Sequence, residues 1–263
     1  MKLHLLAIFL LLPTLINAAC DQDGLSIMKA QESKQKVKFE YEDQQIVLLD
    51  MKSNIKENRT LRHFTKKSKS GQERALLTFM TPVDIKGSAV LNWRESDSED
   101  QWVYLPGLKK LQRIASGSKR KYFMGTDFTF ADLEGEVIKN YNYSCQKMRS
   151  CPDKKSKCYQ IAATPKSKDV KRTTGYTKRI LLVEKKRLIT HKVNYYNMKG
   201  KLFKMALYNK WIKEGKVWRP NLATMTRGKK HKTYIKVIKR TINKKIEDII
   251  FSKRYIEKEM HTK

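Results

Sequence analysis

The sequence predicts a mainly β fold, arranged as an antiparallel meander. Short segments alternate apolar with polar residues, as in Ser88–Trp93, where Ala89, Leu91 and Trp93 share one face. Turn-forming residues separate these segments at short, regular spacing. Strands do not alternate with long helices, so a parallel α/β sheet is disfavoured.

The elements follow in chain order. A weak apolar side indicates a short helix at Gly24–Gln35. Five strands are then expected at Ile46–Met51, Arg59–Thr65, Arg74–Met80, Ser88–Trp93 and Trp102–Leu105. Beyond a cysteine-containing stretch, six more are expected at Tyr159–Thr164, Thr177–Val183, Leu188–Tyr196, Leu202–Tyr208, Trp218–Thr226 and Thr233–Arg240. Neither a Gly/Ser-rich linker nor an internal repeat interrupts this series, so residues 20–263 are expected to form one domain.

Residues 1–19 have the pattern of a secretory signal peptide. Lys2 supplies a positive charge, residues 3–16 are nearly all apolar, and Asn17–Ala19 offers small residues for cleavage. The apolar run is shorter than the roughly 20 residues that a membrane-spanning helix needs, and no later stretch approaches that length. We therefore expect an exported protein; the alternative is a buried N-terminal helix.

The charge balance favours polyanionic partners. The chain has 57 Lys and Arg residues against 26 Asp and Glu, a formal net charge of +31. Such a field attracts nucleic acid, anionic lipid head groups or acidic partners. Export argues against nucleic acid, so an anionic membrane surface is the expected partner of these charges. Strand alternation also allows a simple solvated outer face.

Four cysteines follow the predicted cleavage site, which makes disulfides possible in an exported protein. Cys20 directly follows Ala19, so lipid attachment to Cys20 and membrane tethering are considered, although Asn17 departs from the usual aliphatic residue of a lipobox. Cys145, Cys151 and Cys158 lie close together and predict one disulfide, or two if Cys20 is not lipidated. Their spacing does not match a zinc site, so no metal is expected.

The sequence shows no pattern of a catalytic site. It has no G-x-S-x-G elbow and no phosphate-binding glycine loop. The acidic cluster at 95–100 is interpreted as a polar turn between two aromatic strands. The histidines after the predicted signal peptide have no carboxylate partner nearby in the sequence and are interpreted as ordinary strand or tail residues; they are His63, His191, His231 and His261. We therefore expect a protein that is not an enzyme and carries no cofactor.

The stretch from 100 to 133 is the most distinctive part of the sequence. It contains W-V-Y-L-P at Trp102–Pro106, R-I at Arg113–Ile114 and F-M-G-T-D-F-T-F-A-D-L at Phe123–Leu133. Its aromatic residues require burial or an apolar ligand. The pattern strongly resembles the outer-membrane lipoprotein-sorting family, a LolA-like group of periplasmic proteins. Gly107 and Gln112 depart from the usual Ala and Arg of that pattern, and the stretch around Cys145 and Cys151 is also unusual; these differences affect loops.

The resemblance implies a strongly curved antiparallel sheet, an incomplete β-barrel of the LolA/LolB type, with helices covering its open side. It further implies an apolar cavity that shelters the acyl chain of a lipid or lipidated protein in the periplasm on its way to the outer membrane. Some family members work beside permeases of the resistance-nodulation-division (RND) type, which makes such a permease a candidate partner. Residues expected near the cavity are Leu91, Trp93, Trp102, Tyr104, Phe123, Met124 and Phe128.

Two alternatives remain open from the sequence. In the first, these seven residues form a closed core, because aromatic clusters in proteins are mostly core. In the second, the protein is a basic periplasmic subunit that binds a permease or an anionic envelope polymer without carrying lipid.

Overall fold

The computed structural model describes residues 19–68, 70–96 and 98–263. All but the last residue of the predicted signal peptide lies outside the described residues. Within the described ranges, no helix has both the length and the apolarity to cross a membrane.

The first element is α1, Gly24–Lys34, which agrees with the predicted helix. The side chain of Asp23 accepts a hydrogen bond from the backbone N–H of Ser26 and so caps the first turn. Ile27 and Met28 are buried against the sheet. A Cβ at Gly24 would lie 2.8–2.9 Å from backbone atoms of residues 143–145, so glycine is required for the close approach of α1 to the sheet there.

Six strands form the first half of the sheet. They are β1 Phe39–Asp50, β2 Lys56–Lys67, β3 Glu73–Thr81, β4 Ala89–Arg94, β5 Glu99–Leu105 and β6 Lys110–Arg113. Each pairs antiparallel with the next through short turns. The first five correspond to the predicted strands, whereas the four-residue β6 was not predicted.

Seven strands form the second half. They are β7 Tyr141–Ser150, β8 Lys157–Pro165, β9 Lys178–Glu184, β10 Thr190–Tyr196, β11 Leu202–Glu214, β12 Val217–Arg227 and β13 His231–Ile242. They also form an antiparallel meander, and a short helix α2, Lys168–Thr174, connects β8 to β9. β7 falls in the cysteine-containing stretch, where the sequence predicted no strand.

The two meanders join into one 13-stranded sheet through the pairing of β1 with β13. β6 and β7 are its two edges and do not pair with each other, so the sheet stays open. The predicted fold class, a curved antiparallel sheet forming an incomplete barrel with covering helices, is confirmed.

Separate segments cover the two faces of the first meander. Phe123 packs on one face, against Phe79 at a ring distance of 5.4 Å, as part of residues 122–134, here called the motif segment. Ile246 and Phe251 pack on the other face as part of residues 244–262, the C-terminal segment, which contains α3, Lys253–Glu257. The buried Nε2 of His261 donates to the carbonyl of Gly87 at 2.8 Å and fixes the end of this segment.

Candidate functional site

A cavity of about 590 Å³ lies between α1, residues 131–141 and one face of the sheet. Its wall includes Glu73 of β3 and Arg94 of β4 together with Leu181 of β9 and Val193 of β10. β4 and β9 are eight strands apart in the sheet order, which in a flat sheet would separate them by roughly 38 Å at about 4.8 Å per strand. Strong curvature of the sheet therefore creates the cavity.

The floor of the cavity is aliphatic and aromatic. Leu181, Ile189 and Val193 are buried there. Four tyrosines, three from strands and one from the loop between α2 and β9, complete this part of the wall: Tyr141, Tyr195, Tyr208 and Tyr176. Burial raises the pKa of Tyr208 to about 12, so its hydroxyl stays protonated at neutral pH. The floor is thus uncharged and offers an apolar surface with a few hydroxyl groups.

Ion pairs within the wall neutralise two arginines that face the cavity. Arg179 donates two hydrogen bonds of 2.8 Å to the carboxylate of Glu136, and its guanidinium lies 3.9 Å from the ring centroid of Tyr141. Burial opposes the charge of Arg179, but Glu136 outweighs it and holds the pKa of the guanidinium above its ordinary value. Arg94 forms a similar pair with Glu73 at 2.8 Å. Each of these two guanidinium groups thus has a carboxylate partner within the protein, although the Nε atoms of Arg94 and Arg179 are buried without a hydrogen-bond partner.

α1 forms one side of the cavity and is attached to the sheet at both ends. At its C-terminal end, Gln31 donates to the hydroxyl of Thr190 at 2.9 Å. Gln35 donates to the carbonyl of Arg187 at 2.9 Å and accepts from the backbone N–H of Trp218 at 2.8 Å. Just before its N-terminal end, a disulfide joins residues 20 and 145. Exposed residues of this helix, among them Lys29, mark the mouth.

The seven residues predicted from the sequence lie elsewhere. Trp93 and Trp102 are in edge-to-face contact at 4.8 Å, and the indole of Trp93 donates to the carbonyl of Phe251 at 2.8 Å. Leu91 and Tyr104 share this cluster beneath the C-terminal segment.

The other three predicted residues belong to the motif segment. Phe123 and Met124 pack against β1 to β4, and Phe128 packs near the cluster beneath α1. None of the seven is among the described residues that line the cavity. Their role as lipid contacts stays a prediction.

The two aspartates of the motif segment fasten it to the sheet. Asp127 accepts from Arg227 at 2.9 Å and from the hydroxyl of Thr233 at 2.8 Å. Asp132 accepts from the hydroxyl of Tyr176 at 2.7 Å and forms an ion pair with Lys204, whose side chain is completely buried. The conspicuous residues of the motif therefore position one wall of the cavity rather than its floor. The sequence analysis did not identify these partners.

The four cysteines form two disulfides in the structure, Cys20–Cys145 and Cys151–Cys158. A sulfur atom in a disulfide cannot also carry a lipid, so lipidation of Cys20 and the Cys20–Cys145 bond exclude each other. Lipidation of Cys20 stays a prediction, which an intact-mass measurement decides.

His191 lies beside the second disulfide, although it is far away in the sequence. The two sulfurs of Cys151 and Cys158 and a ring nitrogen of His191 lie within 4.8 Å of one another. The Nε2 atom of His191 is 2.9 Å from Glu184, and Arg187 binds the same carboxylate. The two sulfurs are bonded to each other, and the carboxylate of Glu184 already contacts His191 and Arg187. We therefore interpret these side chains as a structural network.

Comparison with solved structures identifies the fold. A domain from Vibrio parahaemolyticus described as an outer membrane lipoprotein-sorting protein is 24% identical, with a TM-score of 0.82 over 89% of this chain and 98% of that one. A DUF1329 family protein from Desulfovibrio piger is 22% identical, with a TM-score of 0.81 over 89% and 97% of the two chains. A LolA superfamily protein from Nitrosomonas europaea is 18% identical, with a TM-score of 0.68 over 89% and 99%.

The chain therefore has the LolA-superfamily fold, and the resemblance predicted from residues 100–133 is confirmed at the level of the fold. A family model described as "Uncharacterized protein" matches residues 71–258, which is more than half of the chain. The chain belongs to that family. A comparison with curated proteins found no match.

Proposed function

We propose that this protein is a periplasmic carrier that binds the acyl chain of a lipid or lipidated protein in the cavity beneath α1. The observation that carries the proposal is a preformed cavity of about 590 Å³ with an apolar, aromatic floor on an open curved sheet. Ligand pockets typically measure about 300–1,000 Å³. Sheltering an acyl chain from water is worth about 0.8 kcal/mol for each buried CH₂ group.

The attachments of α1 define how the cavity opens. The disulfide between residues 20 and 145 holds the chain just before the helix, whereas side-chain hydrogen bonds from Gln31 and Gln35 hold its far end. Hydrogen bonds of this kind contribute about 0.5–1.5 kcal/mol each, far less than a covalent bond. Opening therefore moves the C-terminal end of α1, within the reach of residues 35–38 that connect the helix to β1.

The mouth favours amphiphiles over pure hydrocarbon. Lys29 is exposed at the rim, while Leu181 and Val193 are buried at the floor. A ligand with an apolar tail and a polar or anionic end matches this gradient, because the tail leaves water and the head group stays in it. Lipids and acylated proteins both meet that description.

Native mass spectrometry of protein purified from the cell envelope, together with uptake of a fluorescent fatty acid, tests the proposal. We expect a bound lipid mass and saturable uptake. Ile138 lines the cavity, so Ile138→Trp adds an indole there that competes with the ligand for space. This variant should weaken uptake about tenfold, which corresponds to a loss of about 1.4 kcal/mol of binding free energy. Ile85→Trp changes another half-buried isoleucine away from the cavity and should leave uptake intact.

A ligand-free spectrum under gentle conditions, without uptake by the unmodified protein, would count against a carrier. The second candidate function would then remain, namely a basic subunit that binds an RND-type permease or an anionic polymer. The single observation that supports this function is the net charge of +31. A pull-down that recovers a permease without lipid would favour that function.

A further inference from the structure

Exposed apolar side chains concentrate at one end of the sheet. The turns that join β1 to β2, β3 to β4, β5 to β6 and β10 to β11 carry five of them: Met51, Ile55, Val83, Leu108 and Met198. Ile55 is 68% exposed, Leu108 62% and Val83 88%. Single exposed apolar side chains are common on protein surfaces, but five at one end of a sheet indicate an interaction site.

The strand register places all four turns at the same end. Leu49 pairs with Lys56 across the first turn. Thr60, near the start of β2, pairs with Thr81 at the end of β3. The turn between β12 and β13 joins the same group, because the backbone N–H of Met51 donates to the carbonyl of Lys230 at 2.7 Å. We call the five turns at 51–55, 82–88, 106–109, 197–201 and 228–230, with their flanking residues, the turn end.

Lysines lie near these five exposed apolar side chains, here called the apolar tips. The turn end contains Lys52, Lys56, Lys86, Lys109, Lys110, Lys199, Lys201, Lys229 and Lys230. None of these nine forms an ion pair with another residue in the described part of the chain. Asp50, one of the few carboxylates at this end, is engaged by the backbone N–H groups of Lys52 and Ser53 at 2.8 and 3.0 Å. The turn end is thus strongly positive as well as apolar at its tips.

We propose that the turn end docks on an anionic lipid bilayer. Each apolar tip is a single side chain or a pair. A lysine directly follows four of the five apolar residues, whereas Asp84 follows Val83. A protein interface typically has a contiguous apolar centre depleted in lysine. Separate tips suit a fluid surface, because each enters the head-group region independently while the lysines bind lipid phosphates. The described residues that line the cavity do not belong to the turn end, so docking and acyl binding can fail separately.

Vesicle flotation tests this proposal. The preparation should be one whose intact mass shows that residues 1–19 and any lipid on Cys20 are absent, because either would bind membranes by itself. We expect flotation with vesicles that contain phosphatidylglycerol, little with phosphatidylcholine alone, and loss of binding in high salt. The double variant Met51→Ser with Ile55→Ser should weaken binding about tenfold, the factor for a loss of about 1.4 kcal/mol.

Ile238→Ser is the matched control, because Ile238 is also exposed but lies within β13 and away from the turns. It should bind as the unmodified protein does. A second variant, Lys229→Gln with Lys230→Gln, should weaken binding to phosphatidylglycerol vesicles without changing the fold. Equal binding to both kinds of vesicle, equal loss in Ile238→Ser and the double tip variant, or no flotation at all would overturn the proposal.

Discussion

The buried pair of Lys204 and Asp132 should be the most sensitive polar contact in the molecule. The ammonium of Lys204 is completely removed from water and the carboxylate of Asp132 is 5% exposed. Asp132 also accepts from the backbone N–H of Thr129 at 2.6 Å and from the hydroxyl of Tyr176 at 2.7 Å. Burial lowers the pKa of Lys204, and Asp132 opposes that effect. The charge on Lys204 therefore depends on its partner.

Lys204→Met removes the cation and leaves the carboxylate of Asp132 buried without a counter-charge. Breaking a buried pair in this way costs about 3–5 kcal/mol, and the remaining hydrogen bonds to Asp132 place the expected loss near the lower value. Adding Asp132→Asn removes the orphaned charge, so the double variant should recover about 2 kcal/mol relative to the sum of the two single variants. Urea unfolding of all four proteins measures these free energies.

An exposed pair provides the control. Arg172 and Asp169 on α2 are both largely exposed, and Asp169→Asn should change the free energy of unfolding by about 0.5 kcal/mol or less. The reasoning would be refuted if Lys204→Met cost as little as this control, or if the two core substitutions were simply additive.

Three further predictions concern the supports of the fold. Burial lowers the pKa of His261 from its ordinary 6.5, so near that pH the unfolded chain binds a proton that the folded chain does not. The free energy of unfolding should therefore fall as the pH drops below about 6.5. In urea unfolding, His261→Gln should make this pH dependence weaker. Cys145→Ser opens a disulfide spanning 125 residues and should cost about 5 kcal/mol in calorimetry, against about 2 kcal/mol for Cys158→Ser, which opens one spanning 7, in the chain-entropy model. Gly24→Ala should cost about 1–3 kcal/mol in the same assay because its Cβ meets backbone at 2.8 Å, whereas Gly107→Ala, with no atom within 4 Å, should be neutral.

The local structure could be predicted from the sequence because it depends on short-range patterns. The helix at Gly24–Lys34 and eleven of the strands followed from alternation and turn residues. β7 was missed although Tyr141 and Tyr143 alternate with the exposed Asn142 and Ser144, because its polar composition resembled a loop. β6 has only four residues, too few for a pattern to be distinguished from a turn.

The location of the cavity could not be obtained in the same way. Alternation correctly placed Leu91 and Trp93 on one face of β4, but it does not say what covers that face. The C-terminal segment covers it, and Phe251, which accepts the hydrogen bond of Trp93, lies 158 positions further along the chain. Had that segment packed elsewhere, the same aromatic residues would have faced an open space.

By itself, the sequence determined that the chain forms an antiparallel meander with a LolA-like motif, because neighbouring residues and a recognisable pattern suffice for both. Tertiary structure decided which face stayed open, that Asp132 meets Lys204, and that Arg94 and Arg179 share one cavity. Those outcomes depend on sheet curvature and on segments that meet from distant parts of the chain, and a local pattern carries no information about either.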